Sequence, residues 1–371
     1  LRSPGDNKVK ILRIGTYPTK LKRGMGYHAY KISNHLGFKC LFIAPYYSDD
    51  ILESNSNHSI KLLRFINTPR PRESSYIDKT LYLIKRIYFI LEFSFCSIMY
   101  FIKYKPDIIH IHSPMHTLIA LTGFLFGKKV YITFHGEDFY KIKNNSLYKI
   151  LSFIYKDVFV LSPHMKSYLD TIHNPRNVHV VFNGVEKNIF YNKELKRNKD
   201  FIAVGYLKDV KGFDYLIKAF KILCEKYNFD GNLKIAGSGN ELNKLKALSS
   251  ALGLADRVIF LGELNTENVV NLYNQNEYFV LSSLSEGFPK VVLEAMACGN
   301  MIISTDVGSV NGILEDYPYI CSPGNEIDLS IKMNECHLSN NEDLKVYLGK
   351  KVDEFSWESS ANLYRKVYEK N

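Results

Sequence analysis

The chain has 371 residues, too many for one ordinary hydrophobic core, so two domains of about 150 to 200 residues are expected. Hydrophobic residues make up 46% and charged residues 23%, which excludes an intrinsically disordered chain. A net charge of +10 suits an anionic partner, whether nucleic acid, nucleotide phosphates or an acidic membrane surface, without choosing among them.

The N-terminal half alternates short apolar runs with helical patterns. "KILRIG" (10–15) reads as a strand. "GMGYHA" (24–29) matches G-x-G-x-x-A, but "TYPTKLKR" separates it from that strand, so it is a weak dinucleotide fingerprint. It fits better as a glycine loop whose amides approach a phosphate or sugar at a helix N-terminus. "YHAYKISNHLG" is the helix, and "CLFIAPY" (40–46) the next strand.

Between Arg86 and Lys103 lies "IYFILEFSFCSIMYFI", interrupted by Glu92. It is shorter than the roughly 20 residues that span a bilayer. A largely buried helix is the favoured reading; an aromatic-rich helix touching a membrane, aided by Lys85, Arg86, Lys103 and Lys105, is the other. Further strands are "DIIHIH" (107–112), "VYITFHG" (130–136), "DVFVLS" (157–162) and "VHVVFNG" (178–184), with "HTLIALTGFLFG" and "HMKSYLDTIH" as helices. His110 and His112 share one strand face without a third ligand at telling spacing, so packing is expected rather than a metal. His135 follows a strand end, where a structural role and a ligand contact are both open.

"YNKELKRNKD" (191–200) is the best linker candidate. The strand–helix pattern then restarts with "FIAVGYL", "NLKIAGSG", "RVIFLGEL", "YFVLSS" and "MIISTDV", and with helices such as "GFDYLIKAFKILCEKYN". The expected fold class is therefore α/β, two Rossmann-like doubly wound domains facing a central cleft. The expected boundaries are 1–195, 196–352 and a C-terminal helix, 353–371, packing back on the first domain. The six cysteines (Cys40, Cys96, Cys224, Cys298, Cys321 and Cys336) are scattered without a C-x-x-C pair, so free thiols in a reducing compartment are expected. The start of the chain carries no apolar h-region, so no leader is expected.

Candidate ligand residues lie at strand-to-loop ends. Gly205 closes a strand, and Lys208 and Lys211 follow before Gly212 opens a helix, where a lysine can pair with a diphosphate or simply be solvated. Gly237 and Gly239 make a tight turn that would let a base or ribose pass close by. In "SEGFPKVVLE" (285–294), Glu286 sits in a loop, Pro289 fits a helix start, and Glu294 lies inside the helix from Lys290 to about Cys298. Two carboxylates around a positive helix end make electrostatic sense when they accept hydrogen bonds from neutral hydroxyls beside an anion. A nucleotide sugar has both.

"EGFPKVVLE" with "EAMACG" and "MIISTDVGSV", preceded by "VGYLKDVKG", "IAGSGNEL", "VIFLGEL", "FHGEDF" and "VFNGV" in that order, resembles glycosyltransferase family 4, retaining enzymes of the GT-B fold. The likeness covers nearly the whole chain. It implies that Glu286 meets donor-sugar hydroxyls and Glu294 ribose hydroxyls. The backbone of Gly287, Phe288, Pro289 and Lys290 would surround the sugar, and the amides of Val291 and Val292 the diphosphate. Lys211 would neutralise the leaving diphosphate, His135 would sit beside the sugar, and Gly24 to Gly26 would close over the phosphates. Catalysis would be by Glu286, His135 and Lys211, with front-face attack and no glutamate nucleophile. One departure is Tyr206, where the family commonly has Arg; Lys208, Lys290 or Arg23 would have to substitute.

No D-x-D occurs, so neither a metal nor another cofactor is expected. The resemblance implies transfer of a hexose or N-acetylhexosamine, most readily from a UDP-sugar, to a glycan or lipid-linked acceptor in cell-envelope synthesis. The expected location is cytoplasmic, with peripheral membrane contact on the inner face. The rivals are a GT-B nucleotide-sugar epimerase and a non-catalytic nucleotide-sugar or glycan-binding protein. A nucleic-acid partner is not expected, because no basic stretch with interleaved aromatics occurs.

Overall fold

The strands form where β-branched and aromatic residues run together, and the interior ones are buried because helices cover their sheets. The computed structural model describes residues 9–15, 24–45, 58–63, 76–135, 151–173 and 178–370. The chain divides into two compact units, Leu1–Phe182 with Trp357–Asn371, and Asn183–Ser356.

The first unit holds β1 (Lys10–Ile14), β2 (Lys39–Pro45), β3 (His58–Leu63), β4 (Ile108–Ile111), β5 (Lys129–Thr133), β6 (Asp157–Val160) and β7 (Val178–Val180), ordered β3-β2-β1-β4-β5-β6-β7. β1 is an interior strand, with Leu12 opposite Leu41 on one side and Ile109 on the other, both parallel. β3 was not anticipated; "HSIKLL" follows a polar stretch and keeps only partial burial at the sheet edge. The second unit holds β8 (Asn198–Val204), β9 (Leu233–Ala236), β10 (Val258–Gly262), β11 (Asn276–Leu281), β12 (Met301–Thr305) and β13 (Ile320–Cys321), ordered β10-β9-β8-β11-β12-β13. Both orders reverse, at β1/β4 and at β8/β11, and the crevice beyond the carboxyl ends of such a pair is where open α/β sheets receive ligands. The six cysteines are free thiols.

The expected boundary near residue 195 lies inside the second unit. Hydrogen bonds explain the displacement: Arg197 donates to the carbonyls of Tyr273 (3.2 Å) and Asn276 (3.1 Å), and the Lys193 amide donates to Asn274 Oδ1 at 2.7 Å. The stretch read as a linker is therefore stitched to the second unit.

The terminal helix Trp357–Glu369 belongs to the first unit. Its stripe of Trp357, Ala361, Tyr364, Val367 and Tyr368 has helical spacing and enters the apolar cluster of Ile11, Tyr27 and Ile32. Burying a side chain such as Val367 contributes about 1.5–3 kcal/mol. Arg365 donates to the carbonyls of His35 (2.7 Å) and Leu36 (3.1 Å), satisfying the end of helix α1 (Gly24–Leu36).

Helix α2 (Tyr76–Tyr104) corrects the favoured reading of a buried helix. One face packs, with the Phe93 ring 5.0 Å from His116 and the Phe101 ring 5.6 Å from Phe126. Only 22% of the 18-residue window Ile87–Tyr104, of mean hydropathy 1.4, is buried, and by length and composition it could cross a membrane. Among the described residues, α2 packs chiefly on the turn Pro114–His116 and the helix Thr117–Leu125, along one face.

Candidate active site

In the second unit the switch between β8 and β11 brings together residues 75 apart in sequence. The short 3-10 turn Asp209–Lys211 follows β8, and the loop after β11 carries Ser282, Ser283 and Glu286. Lys211 Nζ donates to Glu286 Oε1 at 2.5 Å, and Ser283 Oγ donates to the same oxygen at 2.7 Å. Among the described residues Glu286 Oε2 has no hydrogen-bond partner, and an ammonium has two further donors to offer. The loop is held from below: Ser282 Oγ donates to the Lys211 carbonyl (3.1 Å), and Thr305 Oγ1 to that of Ser283 (2.7 Å).

Two glycines permit this geometry. Gly237 has φ +149, and a Cβ there would lie 1.8 Å from the Gly205 carbonyl oxygen, so the ends of β8 and β9 approach as only glycine allows. Gly308 has φ +59, and its Cβ would lie 2.3 Å from the Glu286 carbonyl oxygen. The atoms met are main chain, so no side-chain rotation relieves the contact.

The helix Lys290–Ala297 begins one residue after Pro289, which caps it at φ −81. The Lys290 amide donates to the Phe288 carbonyl and that of Val292 to the Pro289 carbonyl, both at 3.0 Å. Gly287 and Val291 flank those bonds in the same turn. Glu294 projects from the helix beside buried Tyr273, whose hydroxyl is pushed well above its ordinary pKa by burial and then by the Glu294 charge. At Tyr206, the residue in place of the expected arginine, Lys208 Nζ lies 5.0 Å from the ring centroid, so a cation remains at that rim.

In the first unit, Gly24 and Gly26 lie in the first turn of α1, a correction to their reading as a loop; the residues before Gly24, Arg23 included, are outside the described ones. So are Gly136 to Phe139 of "FHGEDF" and most of the polar stretches around residues 46–57 and 64–75. His135 follows β5, and its Nε2 lies 3.1 Å from His112 Nδ1. His112 Nε2 is 3.0 Å from an Arg13 guanidinium nitrogen. His28 of α1 stacks edge-on against His135, with centroids 5.1 Å apart. Burial holds His110, His112 and His135 well below the ordinary histidine pKa; Arg13 adds to this for His110 and His112, and His28 for His135. Among the described residues no group of three or more His, Cys, Asp or Glu forms a metal-binding cluster.

Arg13, His28, Ser283, Tyr273 and Gly308 were not singled out in the sequence. Arg13 alone left a signal, a charge in the centre of an apolar strand.

Two Rossmann-like units with parallel sheets, a lysine–glutamate pair at one switch point and histidines at the other, are the parts of a GT-B glycosyltransferase. The family described as "Glycosyl transferases group 1" matches residues 185–353, and "Glycosyltransferase Family 4" matches 23–188. An uncharacterised glycosyltransferase of Methanocaldococcus jannaschii is 31% identical over 276 residues, covering 71% of this chain and 75% of its own. The N-acetyl-alpha-D-glucosaminyl L-malate synthase of Bacillus anthracis is 26% identical over 289 residues, 71% of this chain and 74% of its own. The structure of HepE from Anabaena in complex with UDP and glucose superposes with a TM-score of 0.72 at 15% identity, covering 98% of this chain and all of that one. The chain belongs to glycosyltransferase family 4.

Proposed function

We propose that the protein is a retaining, metal-independent transferase that moves a hexose or N-acetylhexosamine from a UDP-sugar to a glycan or lipid-linked acceptor of the cell envelope. The observation that carries this reading is the Lys211–Glu286–Ser283 cluster at the β8/β11 switch. A carboxylate already accepting two hydrogen bonds on Oε1 is a poor nucleophile, and its Oε2 suits a sugar hydroxyl. The two remaining donors of Lys211 suit the oxygen charge that grows on a departing diphosphate. The acceptor hydroxyl attacks the anomeric carbon on the face the diphosphate leaves, and the leaving oxygen takes its proton. Glu294, beside Tyr273, holds the ribose hydroxyls, and His135 lies beside the sugar. The UDP and glucose held by HepE and the N-acetylglucosaminyl chemistry in the name of the Bacillus relative support the donor class.

For the acceptor side, the exposed stripe Ile84, Ile87, Leu91, Phe95, Met99 and Ile102 of α2 supports peripheral contact with an anionic cytoplasmic membrane face, with exposed Lys85 and Lys103 on the helix and Lys105 just past its end. A thermal-shift screen of UDP-, GDP- and ADP-sugars tests the donor reading. UDP-sugars are expected to raise the melting temperature most, by the equivalent of about 2.7 kcal/mol at a hundredfold excess over Kd. No shift with any nucleotide sugar would overturn it.

A further inference from the structure

Arg13 is buried in the middle of β1, and among the described residues no carboxylate pairs with it. Its NH1 lies 3.0 Å from His112 Nε2 and its NH2 3.4 Å from the Tyr368 hydroxyl, while its Nε has no partner. A guanidinium only donates. His112 Nε2 must therefore accept, so the single proton of neutral His112 is on Nδ1. That proton points at His135 Nε2, 3.1 Å away, which must accept in turn. The proton of His135 is then on Nδ1, an atom with no partner among the described residues.

A second path leaves the same arginine. Tyr368 accepts from Arg13 and lies 2.5 Å from His110 Nδ1, and His110 Nε2 is 2.7 Å from Thr133 Oγ1. Thr133 is 2.9 Å from the Tyr364 hydroxyl, itself 3.1 Å from His28 Nε2. Passing one proton along each link satisfies every hydroxyl in turn. The two paths end on His135 and His28, whose rings touch, and the second needs both tyrosines of the terminal helix.

We infer that Arg13 is a positioning residue that, through His112, fixes His135 as the Nδ1–H tautomer, so that His135 acts as a hydrogen-bond donor rather than a base. This rests on the proposed placement of His135 beside the donor sugar. An Nδ1–H donor suits a sugar oxygen or the leaving phosphate oxygen; it cannot take the acceptor's proton at that atom. The terminal helix supplies Tyr368 and Tyr364 to the second path, which orients His28, the ring packed edge-on against His135.

Long-range ¹H–¹⁵N correlation spectra of the full chain labelled with ¹⁵N-histidine, with His135 assigned from His135→Gln, read the tautomer without donor present. A neutral, Nδ1-protonated His135 at neutral pH is expected, and an Nε2-protonated His135 overturns the inference whether or not the enzyme turns over. Arg13→Met is expected to mix the His135 tautomers and lower kcat by about 10- to 100-fold with little change in KM, as loss of an outer partner of a working histidine does. Arg13→Lys, which keeps a donor, restores part of it. If Arg13→Met does not fold, the wild-type spectrum and His112→Phe decide the matter in the same terms. An Nδ1–H tautomer together with full turnover by His135→Gln would overturn the role in transfer and leave the proton path standing, so the two failures are distinguishable.

Discussion

Lys211 and Glu286, 75 residues apart, meet at 2.5 Å where β8 and β11 lie side by side. Both side chains are partly exposed, at 28% and 10%. The pair is accordingly a site feature that a ligand can reach and rearrange, and partial solvation limits its worth to the fold. Lys211→Ala is expected to lower kcat by about 100- to 1,000-fold, the usual result of deleting one charge-stabilising donor. Glu286→Gln should chiefly weaken donor binding. In a double-mutant cycle on donor affinity the two changes should couple; strict additivity would mean that they serve unrelated functions.

Gly308 fixes the main chain on which Glu286 stands. Gly308→Ala puts a Cβ against a carbonyl and a side chain in left-handed backbone, at a cost of about 1–3 kcal/mol. Urea unfolding should show that loss, and donor affinity should fall with it because the 286–287 backbone must move. A variant with wild-type stability and affinity would show that the loop is less constrained than its geometry indicates.

Acid should destabilise the first unit. His110, His112 and His135 are held neutral by burial, and burial brings His116 down to about 4. With folded values depressed, the unfolded chain binds more protons once the pH drops below about 6.5. Stability is therefore complete above that value and declines below it, His116 alone contributing on the order of 3 kcal/mol by about pH 4. Urea midpoints at about pH 7.5 and about pH 5 check this, the lower midpoint being expected at the lower pH. Equal midpoints would show that these imidazoles protonate without resistance.

The outer face of α2 should bind vesicles containing anionic lipid, and added salt should weaken that binding. Phe95, 65% exposed, contributes little to folding, so Phe95→Ser should reduce vesicle cosedimentation while leaving the melting temperature unchanged. Cosedimentation that ignores both lipid charge and the substitution would remove the membrane reading.

Much of the fold was legible because parallel strands covered on both faces are near-continuous apolar runs, and because helices end at glycines such as Gly37 and Gly299. The boundary was misread because the polarity of "YNKELKRNKD" says nothing about the carbonyls that Arg197 reaches. The burial of α2 was overestimated because an apolar helix has the same composition whether covered by protein or not. At the site, Glu286 and Lys211 could be singled out by residue type and spacing from a strand end, but their contact depends on strand order, which spacing does not encode. The path from Arg13 to His135 was invisible for the same reason: β1, β4 and β5 are neighbours only after the sheet has formed.

Transfer itself is read by nucleoside diphosphate release from a UDP-sugar, followed with and without acceptor, in EDTA, for the wild type and for folded Glu286→Ala. Release is expected to need the acceptor, to survive chelation and to be lost in the variant. Turnover without acceptor would mark an epimerase or hydrolase instead. Abolition by EDTA would end the metal-independent mechanism, and unchanged turnover by Glu286→Ala would contradict the site itself.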